Sequence, residues 1–236
     1  MKVIAVKTRV FKEGEDLFSF ICGYIKKLPE KAVLVVTSKI VALAEKRTAD
    51  VKNAKTKEKL IRQESQFVMP TKYVWLTIKE GMLMASAGID ESNANGKLIL
   101  LPKDSFKTAH ILRKKLKQKY RVKNLGILIT DSRTIPLRLG INGVALGYAG
   151  FLGVRDYVGK PDIFGRKFKF ERTGIADCLA TAAVLVMGEG NEQQPLAIIG
   201  EAPIQFCEKV NKNELRIDVE DDMYRPFFSQ LKSKKQ

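Results

Sequence analysis

The chain has 236 residues, 45% of them hydrophobic and 29% charged, and carries a formal net charge of +16. That length suits one large domain or two small lobes, and the balance of apolar and charged residues gives no overall indication of disorder. No apolar run reaches the length of a bilayer span, and the apolar start at residues 3–6 runs straight into Lys7, too soon for a signal peptide, so a cytoplasmic protein without membrane contact is expected.

Residues 2–6 read as a first strand. Leu17, Phe20, Ile21, Tyr24, Ile25 and Leu28 recur at three- and four-residue spacings, which predicts an amphipathic helix over residues 13–28, stopped by Pro29. Residues 32–36 are a continuous apolar run, a buried strand, after which Thr37-Ser38-Lys39 opens a short helix through Ala44. Ser38 is the expected N-cap, and a helix start of this kind also suits phosphate. Residues 55–66 form a charged helix; residues 73–78 and 82–86 pair as strands around a Glu80-Gly81 turn. A strand over 98–101 ends at Pro102, and Asp104 caps a helix to Tyr120 with Ala109, Leu112 and Leu116 inward. Residues 125–130 are a strand that delivers Asp131. Gly140, Gly143, Gly147, Gly150 and Gly153 then punctuate a β-like stretch, where bulges, tight turns or close backbone approach would each use them. Thr173 is placed to cap a helix over 174–187, apolar nearly all round and so expected to be buried, and residues 195–199 are the last core strand. Strands and helices mix without strict βαβ alternation, which favours an α+β fold.

Several chemistries are excluded at this level. The lone histidine, His110, rules out a histidine-rich metal site and Ser-His-Asp catalysis. Cys22, Cys178 and Cys207 are far apart, which argues against disulfides or a zinc site; Cys22 and Cys178 read as packing residues. There is no P-loop and no dinucleotide fingerprint; Gly188-x-Gly190 follows a helix rather than preceding one. Basic clusters at 52–59, 113–123 and in the tail (Lys232, Lys234, Lys235) invite a nucleic-acid reading, but none is interleaved with aromatics for stacking, so a solvated face or attraction of an anionic substrate is preferred.

What remains is a pair of acids. Asp90, in Gly88-Ile89-Asp90-Glu91-Ser92-Asn93, and Asp131, in Ile129-Thr130-Asp131-Ser132, each follow an apolar stretch. Either alone merely starts a turn; together they could grip one divalent cation that bridges the phosphates of a nucleotide.

The chain resembles the coenzyme F420 γ-glutamyl ligases. The resemblance is carried by Val35-Val36-Thr37-Ser38-Lys39-Ile40-Val41, Ala87-Gly88-Ile89-Asp90-Glu91-Ser92-Asn93, Ile129-Thr130-Asp131-Ser132 with Arg138-x-Gly140, Gly143-Val144-Ala145-Leu146-Gly147, Asp162-x-x-Gly165-Arg166, and Ala176-Asp177-x-Leu179-Ala180 on to Met187-Gly188. It spans about residues 1–205. It implies mixed, largely antiparallel sheets in a two-lobed catalytic unit over residues 1–230, with a basic tail over 231–236, and a homodimer. It also implies GTP as a substrate, Mg²⁺ or Mn²⁺ as the metal, and the joining of L-glutamate to an anionic carboxylate acceptor through an acyl phosphate. Residue by residue, Asp90 and Asp131 match catalytic metal ligands, with Ser132 and Glu189 beside them. Ser38, Lys39, Asn93 and the loop Gly188, Glu189, Gly190, Asn191 match nucleotide contacts, and Arg138 and Arg166 stand in motifs that would meet phosphate or carboxylate. The chain departs from the family at Leu43 (usually lysine), at Glu189 (usually glutamine), at Gly200-Glu201 (often Arg-Gly), and in Thr8-Arg9-Val10-Phe11, which lacks the usual Gly-Ile-Pro. Two alternatives stand beside this reading: a folate polyglutamate-type ligase of the same family, and a non-catalytic basic protein that binds nucleic acid, a partner not otherwise expected.

Overall fold

The computed structural model describes residues 1–50 and 53–228. Its centre is a five-stranded sheet in the order β1-β12-β2-β8-β9, formed by β1 (Lys2–Val6), β2 (Ala32–Thr37), β8 (Leu125–Thr134), β9 (Ile141–Ala149) and β12 (Leu196–Gly200). Only β2 and β8 pair in parallel; the other pairs are antiparallel. β2 is apolar along its length because it is buried on both faces. Leu34 and Val36 join Ile127 and Ile129 in a core with α1 (Leu17–Tyr24), α2 (Ser38–Ala44) and α4 (Ser105–Tyr120). Val33 and Val35 join Leu128 in a second core under α5 (Ile175–Met187).

Beside this sheet, β3 (Thr48–Asp50) pairs with β7 (Lys97–Ile99), and β4 (Phe67–Pro70), β5 (Trp75–Lys79) and β6 (Met82–Ala85) form a meander. α3 (Ala54–Gln63) lies against it over a small core of Ile61, Ala87, Ile89, Leu98 and Leu100. The β5–β6 turn is the one the sequence indicates: Glu80 and Gly81 both take positive φ, 53° and 76°, as a type I′ hairpin requires. A last hairpin, β10 (Val154–Asp156) with β11 (Arg172–Gly174), precedes α5, and α6 (Arg225–Phe228) follows β12. The fold is α+β with mostly antiparallel sheets, as expected.

Several expectations are corrected. α1 starts after Asp16, whose carboxylate accepts from the Ser19 N–H, and it ends at Tyr24 where Ile25 turns extended. Ile25 and Leu28 are still buried, so the helical spacing there reflects core contact without helix. Ser38 is the first residue of α2 and is buried, while Thr37 holds the cap position without a side-chain bond. Gly174, not Thr173, caps α5. α5 is not buried all round: Ala176, Leu179, Ala180, Ala183 and Met187 face the sheet, whereas Leu185 is 83% exposed. Cys22 packs on the core, but Cys178 is exposed. β3 and β4, missed in the sequence, are short and are held by their partners rather than by their own pattern. Lys52 of the 52–59 basic cluster and the 231–236 tail lie outside the described residues.

The dense glycines let helices approach β9. A Cβ at Gly143 would stand 2.3 Å from the Ala180 carbonyl oxygen of α5, and one at Gly147 would stand 2.5 Å from the Phe106 nitrogen of α4. Gly140, with φ +99°, serves the turn instead.

Candidate functional site

Asp90 is positioned by a backbone that few sequences tolerate. Ser86, Ala87 and Gly88 all have positive φ (48°, 58° and 68°), costly for the first two. This left-handed run carries the chain from β6 into a short pairing of Asp90 with Ile99. The Asp90 carboxylate then closes a local turn, accepting from the Ser92 N–H (2.7 Å) and hydroxyl (2.9 Å). Lys39, on the first turn of α2, reaches across to it: its Nζ lies 2.7 Å from Asp90 Oδ2 and also donates to the Ser92 carbonyl at 2.9 Å. Burial works to raise Asp90's pKa, but donation from Lys39 and Ser92 prevails and holds it below the ordinary carboxylate value.

Asp131 arrives from the sheet. The ladder between β8 and β9 slips between Ile129 and Thr130, so that Ile129 faces Gly147 and Thr130 faces Ala145. Leu146 is the extra residue of this bulge, which re-aims the strand immediately before Asp131. β8 therefore continues beyond Asp131 to Thr134 instead of ending there. Burial pushes Asp131 up to about 6; the Ser132 N–H and the Ser38 hydroxyl pull the other way, and the negative charge of Asp90 adds to the rise. Ser132 points to the opposite side and donates to Glu189 Oε2 at 3.2 Å. Glu189 is raised above its usual value, first by burial.

The loop after α5 closes the site. Gly188, at φ +78°, ends the helix. The Gly190 N–H binds the Glu192 carboxylate (2.8 Å), and the Gly190 carbonyl accepts from Asn93 Nδ2 (3.1 Å), tying the loop to the Asp90 turn. Thr8 N–H to the Gln193 carbonyl (2.8 Å) and Thr37 N–H to the Pro195 carbonyl (3.0 Å) fix its far end.

These groups surround one cleft of about 280 Å³, lined by Ser38, Lys39, Asp90, Asn93, Asp131, Ser132, Gly188, Glu189, Gly190 and Asn191. Remote segments named from the sequence are thus brought together. Leu43 also lines the cleft, as do Arg9, Val10 and Phe11. Arg138 and Arg166 do not: both are exposed, Arg138 in the β8–β9 turn and Arg166 in the β10–β11 loop. Sequence reasoning missed Arg9, whose Nη1 is held by Glu15 at 2.8 Å, because no local pattern marks a cleft-lining arginine.

The donors are all oxygens, the preference of Mg²⁺ and Mn²⁺. No group of three His, Cys, Asp or Glu side chains among the described residues is gathered closely enough to hold a metal by itself. Two aspartates plus substrate phosphate oxygens and water are the usual Mg²⁺ arrangement, so the residues fit such an ion when it enters with a nucleotide. No helix among the described residues is long and apolar enough to cross a membrane.

A mixed α+β fold with a carboxylate-rich cleft closed by a glycine loop defines a protein equipped to align and neutralise charged small molecules. The chain belongs to the F420-0:Gamma-glutamyl ligase family, whose description it matches over residues 5–201. It is 32% identical over 245 residues to the coenzyme F420:L-glutamate ligase of Methanococcus maripaludis, covering 95% of this chain and 97% of that protein. It is 30% identical over 246 residues to the protein of that name from Methanocaldococcus jannaschii, with the same coverage. Against that of Methanosarcina mazei it is 32% identical over 217 residues, 84% of this chain and 85% of that protein.

Proposed function

We propose that this protein is a GTP- and metal-dependent γ-glutamyl ligase that joins L-glutamate to an anionic carboxylate acceptor of the coenzyme F420 type. The observation that carries the reading is the convergence of Asp90, Asp131 and the 188–194 loop on one cleft, in a chain of this family. In the reaction, an oxygen of the acceptor carboxylate attacks the γ-phosphorus, the bond to the β–γ bridging oxygen breaks, and GDP departs with that electron pair. The glutamate amine, as free base, then attacks the acyl carbon; phosphate leaves and the nitrogen loses a proton as the amide forms. No protein nucleophile is needed, in keeping with a site that offers alignment and charge.

Asp90 and Asp131 would hold the Mg²⁺ or Mn²⁺, with Ser132 and Glu189 at its edge. The ion supplies neutralisation of phosphate charge when bound. Lys39 keeps Asp90 ionised and oriented. Asn93 holds the 188–194 loop against the Asp90 turn, shaping the place for the nucleotide. The two-lobed catalytic unit over residues 1–230 belongs to this proposal, as does the homodimer. In a homodimer, exposed apolar side chains such as Leu137 (105% exposed), Leu139 (107%), Ile163 (91%), Phe164 (89%) and Leu185 are the groups a subunit contact would cover.

The test supplies GTP, L-glutamate and the deazaflavin acceptor with Mg²⁺ or with Mn²⁺ and follows GDP release together with an added glutamyl mass on the acceptor. No GDP under either metal overturns the proposal. Glu189→Gln is expected to weaken Mg²⁺ or Mn²⁺ binding about tenfold, the loss of one charge at short range. A metal titration by calorimetry that superimposes on wild type would remove Glu189 from the ion's surroundings.

A further inference from the structure

Arg133 is a half-buried cation next to Asp131, without an ion-pair partner among the described residues. Over residues 131–133 the β8–β9 ladder is regular, Asp131 facing Val144 and Arg133 facing Asn142. Side chains two apart on a strand share a face, so Arg133 stands next to Asp131 on the side away from Ser132 and Glu189. Among the described residues its Nη2 meets the Met82 sulfur, at 3.0 Å. Its Nε is closed off from solvent and has no hydrogen-bond partner, and it forms no ion pair among the described residues. Asp131 and Asp177 act on it only through their charge.

Arg133 differs in this from Arg113, which is buried. Arg113 gives Nε to the Leu125 carbonyl (2.8 Å) and both terminal nitrogens to Glu208 (2.8 and 2.9 Å). Such completion is the rule, because a buried charge without partners is strongly destabilising and a thioether is a poor acceptor. A guanidinium whose hydrogen bonds are unfilled beside Asp131 suits a planar oxyanion, because its fork matches a carboxylate at two points.

We propose that Arg133 is the docking residue for a substrate carboxylate, holding it next to Asp131 where the phosphoryl group would be presented. This rests on the ligase reading above. The carboxylate chemistry is shared by the acceptor and by L-glutamate, and the experiment separates them. Arg133→Met and Arg133→Lys are prepared in the full chain. KM for acceptor, for L-glutamate and for GTP, together with kcat, is measured for each, alongside direct calorimetric binding of acceptor and of L-glutamate.

The expected result is a rise in KM of about tenfold to a hundredfold for one of the two carboxylate substrates, in both variants. Lysine should fail to rescue because it keeps the charge but loses the fork, and KM for GTP should stay within about twofold. The melting temperature of Arg133→Met should not fall, since it removes a half-buried charge that has no ion-pair partner among the described residues and leaves no hydrogen-bonding group at that position. Unchanged KM for both carboxylates, a rise confined to GTP, or a fall in melting temperature with dissociation of a dimer would each overturn the inference. Failure of the ligase reading looks different: the wild-type protein itself would release no GDP.

Discussion

Replacing Asp131 by asparagine is expected to abolish ligase activity and, in the presence of a chelator, to make the protein more heat-stable at neutral pH. Loss of a ligand to the ion should lower turnover by about a thousandfold or more. The stability effect follows from burial, which raises Asp131 from 3.8 to about 6 in the folded chain. The folded state therefore holds this proton more tightly than the unfolded state. Its contribution is fully present below about pH 4 and is lost as pH rises through 6, leaving a deficit on the order of 3 kcal/mol by pH 8. Asparagine has no charge to bury and escapes that deficit. Melting curves with EDTA from pH 4 to pH 8 should show the wild-type protein losing ground to Asp131→Asn as pH rises. Adding Mn²⁺ with GTP should stabilise only the wild type. A variant that melts below wild type at every pH would make Asp131 a structural residue.

Gly143→Ala should be the most damaging single methyl in the sheet. Its Cβ would lie 2.3 Å from the Ala180 oxygen, 2.5 Å from the Ala180 carbonyl carbon and 2.8 Å from the Thr181 nitrogen, all backbone of α5 and unable to turn aside. α5 is also pinned to β9 on either side of this point, by Thr181 Oγ1 to the Gly143 carbonyl (2.8 Å) and by the Ala145 N–H to Asp177 Oδ1 (2.8 Å). The helix must therefore shift as a unit, and with it the loop at 188–194. We expect a loss of about 3 kcal/mol, the upper end of overpacking effects, and a fall in melting temperature of about 6–12 °C for a chain of this size. Activity should drop even at temperatures where the variant is folded. The control is Gly23→Ala in α1, where a Cβ meets nothing within 4 Å. There the same methyl should stabilise by about 0.5–1 kcal/mol through helix propensity and a less flexible unfolded chain. Equal melting temperatures for the two variants would refute the packing argument.

The elements most legible in the sequence were those whose signal is local. The Glu80-Gly81 turn requires two positive φ angles, and glycine beside a turn-tolerant residue announces it. Asp104 as the cap of α4 is equally local, since it binds the Lys107 N–H three residues on. β2 declares its double burial by an unbroken apolar run. α1 misled because Ile25 and Leu28 keep helical spacing while packing on the core from beyond the helix end. α5 misled because an apolar surface inside a core and one left exposed have the same composition.

By itself the sequence determined the chemical inventory: two aspartates in long specific motifs, one histidine, no phosphate loop of the usual kind, and the family to which these belong. It determined which short stretches are strand, turn and cap, because backbone preference acts over a few residues. Only the tertiary structure decided which groups share a cleft. The Leu146 bulge aims Asp131, the left-handed run at 86–88 carries Asp90 to Lys39, and Asn93 binds a loop almost a hundred positions away. It also placed Arg138 and Arg166 outside that cleft and Arg133 next to Asp131, without an ion-pair partner among the described residues. Those outcomes depend on burial and on contacts between distant segments, and a side chain's partners and the cost of its charge are set by what the fold packs around it.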